Sequence, residues 1–189
     1  MPTHTLWRVF PWDSRAKPGG PLSPSYLPAQ SGYGRFDLDR GLDASTWYFA
    51  GTPEHAIAER IQDLRNRTLF DDMLFERGHR LALVSVEVAA RIAPMDLCDP
   101  IELARLAIPP DRLAYRDRDV TRAIATRLYR ETAAKGLHWW SAFFGEWHTT
   151  ALFSDRLADG DLVFGQPEPL RMDAPAVLAA AEALAIEIA

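Results

Sequence analysis

The stretch STWYFAGTPEHAIAE, residues 45–59, joins a strand to a helix and decides the local fold of the chain. Its first half is aromatic and ends at Gly51, which is typical of a short β-strand. The helix start is well marked: Thr52 can cap it, Pro53 suits its first turn, and Glu54 favours the positive end of the helix dipole. The pattern therefore predicts a strand followed directly by a helix.

The predicted helix extends from 53 to about 66 and has one apolar face. Ile57, Ile61 and Leu64 recur at helical spacing on that face. Glu59 lies beside this apolar stripe rather than opposite it, so its carboxylate could point into a cleft. The alternative is a glutamate on a solvated flank.

Strands are also predicted on both sides of this unit. THTLWRVF, residues 3–10, is a first strand ended by Pro11, and residues 11–30 form a loop with five prolines and two glycines. RLALVSVEV, residues 80–88, is predicted as a central strand. RIAPMDL, residues 91–97, is a candidate for a further strand, interrupted by a proline.

Two helices are predicted next, PIELARLA at 100–107 and DVTRAIATRLYRETAAKG at 119–136. For the longer helix, Asp119 is the predicted cap and Gly136 the predicted stop. Its predicted apolar face consists of Val120, Ile124 and Leu128.

The last third of the chain predicts three strands and a terminal helix. The strands are LHWWSAFF (137–144), WHTTALF (147–153) and LVFG (162–165), and the helix is APAVLAAAEALAIEIA (174–189). That helix could dock on the core or form a surface for a partner. Because the spacing is uneven, without regular βαβ alternation, the sequence predicts an α+β fold with a mixed β-sheet core and packed helices.

Composition narrows the class of protein. The chain has 189 residues, 48% of them hydrophobic, which fits a single domain over 1–189. A net charge of -5 argues against direct binding to nucleic acid or to anionic membranes. The lone Cys98 predicts neither a disulfide nor a Cys/His metal framework, and with no signal peptide or membrane span recognisable, a cytoplasmic protein is expected.

Several further motifs contain residue types that occur in functional sites. HAIAE, residues 55–59, lacks the second histidine of a zinc protease helix, so no metal is expected there. The other histidines are dispersed, and no nucleophile motif accompanies them. A group of aromatic residues could stack on a flat ring or simply fill the core. That group is Trp139, Trp140, Phe143, Phe144 and Trp147.

Arg35 follows two glycines in SGYGRFDLD, residues 31–39, so the backbone there can turn tightly or approach another group closely. An arginine in this place is either presented to a ligand or merely solvated. Read in chain order, WRVF, GRF, WYFAGTPEHAIAE and GLHWWSAFFGEW supply a set of polar residues around it. The set consists of Arg8, Arg35, Tyr48, Glu59 and Ser141.

This set resembles the RES domain, a family named for arginine, glutamate and serine and found in bacterial toxins of toxin–antitoxin pairs. The resemblance extends from Trp7 to Phe153. It rests on the order and spacing of short motifs, and the chain departs from the family in RFDLD, in residues 138–140 and in its long tail. The matching motifs are Trp7-Arg8, Gly34-Arg35-Phe36, Tyr48-Phe49-Ala50, Thr52-Pro53-Glu54 through Glu59, Gly136-Leu137 and Ser141.

The resemblance implies a fold similar to that of ADP-ribosyltransferase toxins and an enzyme that destroys NAD by hydrolysis or phosphorolysis at the nicotinamide–ribose bond. The usual partner in the family is an antitoxin with a helix-turn-helix domain, and a homodimer is a further option. There are two alternative functions: a protein mono-ADP-ribosyltransferase that uses the same pocket, and a binding module without catalytic activity.

The chemistry needs the residue types in the set. Nicotinamide leaves NAD as a neutral base, so one carboxylate, Glu59, can suffice to stabilise the oxocarbenium-like transition state. Arg8 and Arg35 would bind the pyrophosphate, since guanidinium groups match phosphate oxygens. Tyr48 would stack on the nicotinamide ring, and Ser141 would orient Glu59 or hold the ribose. No metal is required.

Overall fold

The computed structural model describes residues 3–28, 34–115, 117–141 and 146–189. Its helices are α1 (Pro53–Ile61), α2 (Pro100–Arg105), α3 (Pro110–Ala114), α4 (Arg118–Glu131) and α5 (Pro175–Ala183). Its strands are β1 (Thr3–Pro11), β2 (Thr46–Ala50), β3 (Thr68–Leu69), β4 (Phe75–Glu76), β5 (His79–Ala89), β6 (Met95–Asp96), β7 (Gly136–Trp140), β8 (His148–Phe153), β9 (Leu162–Phe164), β10 (Glu168–Pro169) and β11 (Glu187–Ile188).

The chain divides into two compact units. Unit 1 comprises Leu27–Tyr48 and Ala89–Asp161, and unit 2 comprises Thr3–Tyr26, Phe49–Val88 and Leu162–Ala189. Each unit contains both strands and helices, so the predicted α+β class is confirmed. That the chain forms a single domain over 1–189 stays a prediction.

The strands of unit 2 lie in the order β10-β5-β1-β2, with β10 antiparallel to β5 and β1 antiparallel to β2. Trp7 of β1 lies opposite Ala50 of β2. Strands β4 and β9 also pair with β5. The strand predicted at residues 80–88 therefore corresponds to β5 and lies in the interior of the sheet, as expected. A separate small sheet joins β11 to β3 in parallel.

Helix α1 begins as the sequence predicts. The Thr52 side chain accepts a hydrogen bond from the backbone N–H of His55 at 3.3 Å, which satisfies a donor in the first turn. Ile57 and Ile61 are buried. The α-helix ends at Ile61 and continues only as one 3-10 turn to Leu64, so the predicted end near residue 66 is wrong.

The C-terminal segment departs from its prediction. Helix α5 ends at Ala183 instead of continuing to residue 189. Ala185 adopts a left-handed backbone with φ of 55°. The Ile186 N–H then donates to the carbonyl of Ala181 at 2.9 Å. This arrangement ends the helix and lets the last residues form β11.

Unit 1 contains a mixed sheet in which β7 pairs with β8 in antiparallel and with β6 in parallel. The first residues of β2 belong to the same unit, beside β8. Of the strand proposed at 91–97, only Met95–Asp96 pairs. Gly136 opens β7, and a Cβ there would overlap the backbone carbonyl of Ala151. It is therefore a strand residue, and its prediction as the stop of α4 is wrong.

Helix α4 is capped by Asp117 rather than by the predicted Asp119. The Asp117 carboxylate accepts a hydrogen bond from the Asp119 backbone N–H at 2.9 Å. The buried side of the helix consists of Thr121, Ala125, Thr126 and Leu128. The predicted Val120 and Ile124 are half-buried instead and line an open apolar groove.

The core of unit 1 is one cluster of buried apolar side chains. Among them, Phe36 contacts Trp139 with ring centroids 4.2 Å apart. The cluster consists of Phe36, Leu38, Ala44, Leu97, Leu103, Ile108, Leu113, Ala125, Leu128, Leu137, Trp139, Ala151 and Phe153. In the described part of the chain, the helices are too short or too polar to cross a bilayer.

Candidate functional site

The five predicted site residues are divided between the two units. Arg35, Tyr48 and Ser141 belong to unit 1, and Arg8 and Glu59 belong to unit 2. The convergence of all five on one NAD molecule stays a prediction.

In unit 1, the segment around Arg35 is fastened to Tyr48. The Tyr48 hydroxyl accepts a hydrogen bond from the Phe36 N–H at 3.0 Å and donates one to Asp37 Oδ1 at 2.8 Å. The other carboxylate oxygen of Asp37 accepts from the Gly34 N–H at 2.9 Å. A Cβ at Gly34 would overlap both the Asp37 carboxylate and the Tyr48 hydroxyl. The glycine therefore permits a close approach, as the sequence predicts.

The environment of Tyr48 keeps its hydroxyl neutral. Burial and the neighbouring Asp37 carboxylate raise the pKa of Tyr48 well above 10, since both disfavour a phenolate. Its ring meets Trp139 edge to face, with centroids 6.5 Å apart. Tyr48 thus acts first as a hydrogen-bonding centre that shapes the Arg35 segment, and its proposed stacking on nicotinamide stays a prediction.

Arg35 is half-buried and bound to the C-terminal end of α3 and the residue that follows it. Its Nη1 donates to the carbonyls of Leu113 at 3.2 Å and Tyr115 at 2.8 Å. Its own carbonyl accepts a hydrogen bond from the Thr121 hydroxyl. An anion that binds this guanidinium would therefore have to share it with these carbonyls or replace them.

Ser141 follows β7 and is buried, with 4% of its surface exposed. Its backbone N–H donates to the Trp147 carbonyl at 2.5 Å, which closes the end of the β7–β8 pair. In the aromatic group, Trp139 is buried and Trp140 and Trp147 are half-buried. Phe143 and Phe144 lie outside the described residues.

Cys98 has neighbours that the sequence did not predict. The ligand atoms of Cys98, His138 and His148 all lie within 4.8 Å of one another. The expectation that no Cys/His set could be assembled around Cys98 is therefore wrong, because two histidines lie beside it. Burial and Asp96 raise the pKa of the Cys98 thiol to about 11, whereas nucleophilic cysteines show a lowered pKa.

In unit 2, Arg8 anchors the proline-rich loop. It lies in β1, and its Nη1 donates to the carbonyls of Pro24 at 3.2 Å and Tyr26 at 3.1 Å. Burial, together with the charge of Arg60, lowers the pKa of Arg8 to about 10. Arg8 thus stays positively charged at neutral pH, as a phosphate contact requires.

Glu59 lies in the last turn of α1 beside its buried face. Its side chain is 40% exposed, and its Oε1 lies 3.2 Å from Nε2 of His55, a fully buried ring one helical turn earlier. The Glu59 carbonyl accepts a hydrogen bond from the Gln62 side chain at 2.8 Å. The carboxylate is therefore held in place by a buried neighbour and still reaches solvent.

Sequence reasoning missed the supporting residues Asp37 and His55. Asp37 belongs to the RFDLD segment that departs from the family pattern. Its carboxylate accepts a hydrogen bond from the backbone N–H three residues earlier, one of the local patterns that aspartate side chains form. The sequence motif HAIAE suggests His55 only as a metal ligand. Its spacing of four residues from Glu59 on one helix was the available signal for their contact.

Comparisons with known proteins bear on the family and the fold of the chain. The chain matches the RES domain family over residues 5–173. No curated protein sequence matches it. Its fold is similar to that of a chain in the crystal structure of the M. tuberculosis MbcT–MbcA toxin–antitoxin complex, with a TM-score of 0.65, 18% identity, and coverage of 97% of this chain and 90% of that chain. Since the family match covers most of the sequence, the chain belongs to the RES domain family.

Proposed function

We propose that this chain is the toxin of a bacterial toxin–antitoxin pair and that it depletes NAD by cleaving the nicotinamide–ribose bond. Membership of the RES domain family supports this function, as does a fold similar to a chain of a toxin–antitoxin complex. The proposed setting is the cytoplasm, and the proposed partner is a helix-turn-helix antitoxin. No metal takes part in the proposed reaction.

The observation that carries the proposal is the state of Glu59. Its carboxylate lies at the edge of the buried face of α1, 3.2 Å from the ring of the fully buried His55 one helical turn earlier. With 40% of its side chain exposed, the carboxylate can still meet a substrate. A fixed and accessible negative charge is what an oxocarbenium-like transition state needs.

The proposed reaction breaks the bond between C1″ of the ribose and the nitrogen of nicotinamide. The bonding electron pair returns to the ring nitrogen, so nicotinamide departs neutral and positive charge develops on the ribose. Glu59 stabilises that charge while an oxygen of water or of phosphate forms the new bond to C1″. With water the products are ADP-ribose, nicotinamide and a proton, and with phosphate ADP-ribose 1″-phosphate and nicotinamide.

The two arginines are assigned to the pyrophosphate of NAD. Arg8 keeps its charge at neutral pH because its pKa remains about 10. Arg35 is half-buried and already fixed through two carbonyls, which lowers the entropy that an anion contact would cost. Ser141, buried at the end of β7, is assigned to Glu59 or to the ribose hydroxyls.

Replacing Glu59 by Gln tests the assignment. We expect NAD turnover by the purified protein to fall by about 100-fold or more, since removing one electrostatic stabiliser typically has that effect. The matched control is Glu182→Gln, the same change at an exposed glutamate of α5 in the same unit. Full turnover by Glu59→Gln with intact folding, judged by circular dichroism, would overturn the assignment.

Product analysis with NAD labelled in the adenosine part separates the related activities. Free labelled ADP-ribose, or its 1″-phosphate when phosphate is present, supports the proposed cleavage. Label attached to protein indicates a mono-ADP-ribosyltransferase instead. Tight NAD binding without products would indicate a binding module.

A further inference from the structure

Three residue types that commonly bind metals meet in unit 1: one follows a strand and two lie in strands. Cys98 follows β6, His138 lies in β7, and His148 opens β8. Their sulfur and ring nitrogen atoms all lie within 4.8 Å of one another. The rings of the two histidines are 5.0 Å apart at an angle of 40°. None of the three belongs to the residues assigned to NAD.

The pairing of the strands holds these ligands in place. In the β7–β8 pair, His138 lies opposite Thr150 and Trp140 lies opposite His148. The two histidines are therefore diagonal neighbours on one face of the hairpin. Cys98 is held beside them because the Leu97 N–H donates to the His138 carbonyl at 2.8 Å. The cluster thus rests on backbone hydrogen bonds rather than on loose side chains.

The groups around the ligands are also those of a metal site. Metal-binding histidines usually hold a hydrogen bond through their second ring nitrogen, which fixes the ring. Nδ1 of His138 lies 3.0 Å from the hydroxyl of Thr150, a buried residue. Asp96 accepts a hydrogen bond from the Cys98 N–H at 2.9 Å, which orients the backbone that carries the thiol.

We propose that Cys98, His138 and His148 bind a Zn²⁺ ion. One thiolate and two imidazoles form a donor set that suits zinc, with water completing the tetrahedron. In such a site, bonds of about 2.3 Å to sulfur and about 2.0 Å to nitrogen place the ligand atoms roughly 3.3–3.6 Å apart. The observed limit of 4.8 Å is close enough for rotation of the side chains to complete the site.

The metal would stabilise the end of the hairpin on which Ser141 lies. His148 is next to Trp147, whose carbonyl accepts the hydrogen bond from the Ser141 N–H. It also lies opposite Trp140, the residue before Ser141. Zinc is therefore assigned a structural role at this end of β7 and β8.

The experiment uses the full chain, purified without a histidine tag and treated with a chelator, then titrated with Co²⁺ and with Zn²⁺. We expect one equivalent of Co²⁺ to produce a tetrahedral visible spectrum with a thiolate charge-transfer band, and Zn²⁺ to displace it. Zn²⁺ should also raise the Tm. Cys98→Ser should remove the charge-transfer band, and His148→Gln should weaken binding at least tenfold.

The control variant is His79→Gln, which changes a half-buried histidine of unit 2 and should bind the metal like the natural protein. Circular dichroism of the metal-free variants confirms that each is folded. Equal cobalt binding by the natural protein and Cys98→Ser, or a cobalt spectrum without the thiolate band, would overturn the zinc site. Glu59→Gln should bind metal normally, so the outcome is independent of NAD turnover.

Discussion

At the residue scale, the position of Gly34 shows how a missing side chain shapes the segment before Arg35. A Cβ there would overlap the Asp37 carboxylate and the Tyr48 hydroxyl. We expect Gly34→Ala to lower the free energy of unfolding by about 1–3 kcal/mol, the usual range for overpacking. Urea denaturation of the purified protein measures this change.

The control for Gly34 is Gly41→Ala in the same unit. Gly41 is exposed, and a Cβ there would meet no atom within 4 Å, so the expected change is within about 0.5 kcal/mol. Because Gly→Ala by itself restricts the unfolded chain and so slightly favours folding, a loss of stability in Gly34→Ala no larger than in Gly41→Ala would contradict the contact with Asp37 and Tyr48 as its cause.

The same residues show what the sequence could predict at this scale. A glycine before an arginine indicated a close approach, and that approach is present. Its partner Asp37 could not be assigned, because the sequence does not tell which side chain turns back on the backbone. The Cys98 cluster was out of reach for a related reason: its members lie 40 and 10 residues apart along the chain, and only strand pairing unites them.

At the scale of elements, helix starts were predicted better than helix ends. Thr52 and Pro53 marked α1 correctly, because Ser, Thr, Asp and Asn caps and first-turn prolines act through local chemistry. The predicted ends were wrong for α1, which ends at Ile61 rather than near residue 66, and for two further helices. Helix α4 ends at Glu131 rather than at Gly136, and α5 ends at Ala183 before a left-handed Ala185.

Ala185 yields a prediction at this scale. The Ala185 N–H donates to the Glu182 carbonyl and the Ile186 N–H to that of Ala181, the hydrogen bonds of a Schellman motif, whose left-handed position usually holds glycine. The left-handed conformation costs an L-residue about 1–2 kcal/mol, and glycine avoids this cost. Part of the gain is offset because glycine loses more conformational entropy on folding. Ala185→Gly should therefore raise the free energy of unfolding by about 0.5–1 kcal/mol.

Ala179→Gly is the control for this substitution, because Ala179 is exposed within α5. There the same change should lower the stability by about 1 kcal/mol. Thermal denaturation of both variants therefore gives shifts of opposite sign. A loss of stability in Ala185→Gly would contradict the strain assigned to the left-handed alanine.

At the scale of the whole molecule, the α+β class was predictable, because the uneven order of strands and helices excludes a regular βαβ fold. The division into two units was not visible in the sequence, since each unit is assembled from separate stretches of chain. The proposed site residues are accordingly drawn from both units. Their order along the chain, rather than any single contact, carried the resemblance to the RES domain.

The proposed toxin function predicts the behaviour of the whole molecule in a cell. Induced expression in a bacterial host should lower cellular NAD and arrest growth, whereas Glu59→Gln, expressed to the same level, should do neither. Co-expression of the antitoxin, tested as the product of the adjacent gene, should restore both NAD and growth, because a toxin–antitoxin pair requires inhibition by the partner. Cellular NAD is measured by enzymatic cycling before growth slows, so that NAD loss that causes the growth arrest is distinguished from NAD loss that results from it. Growth arrest with unchanged NAD would contradict NAD depletion and direct the search to modified proteins instead.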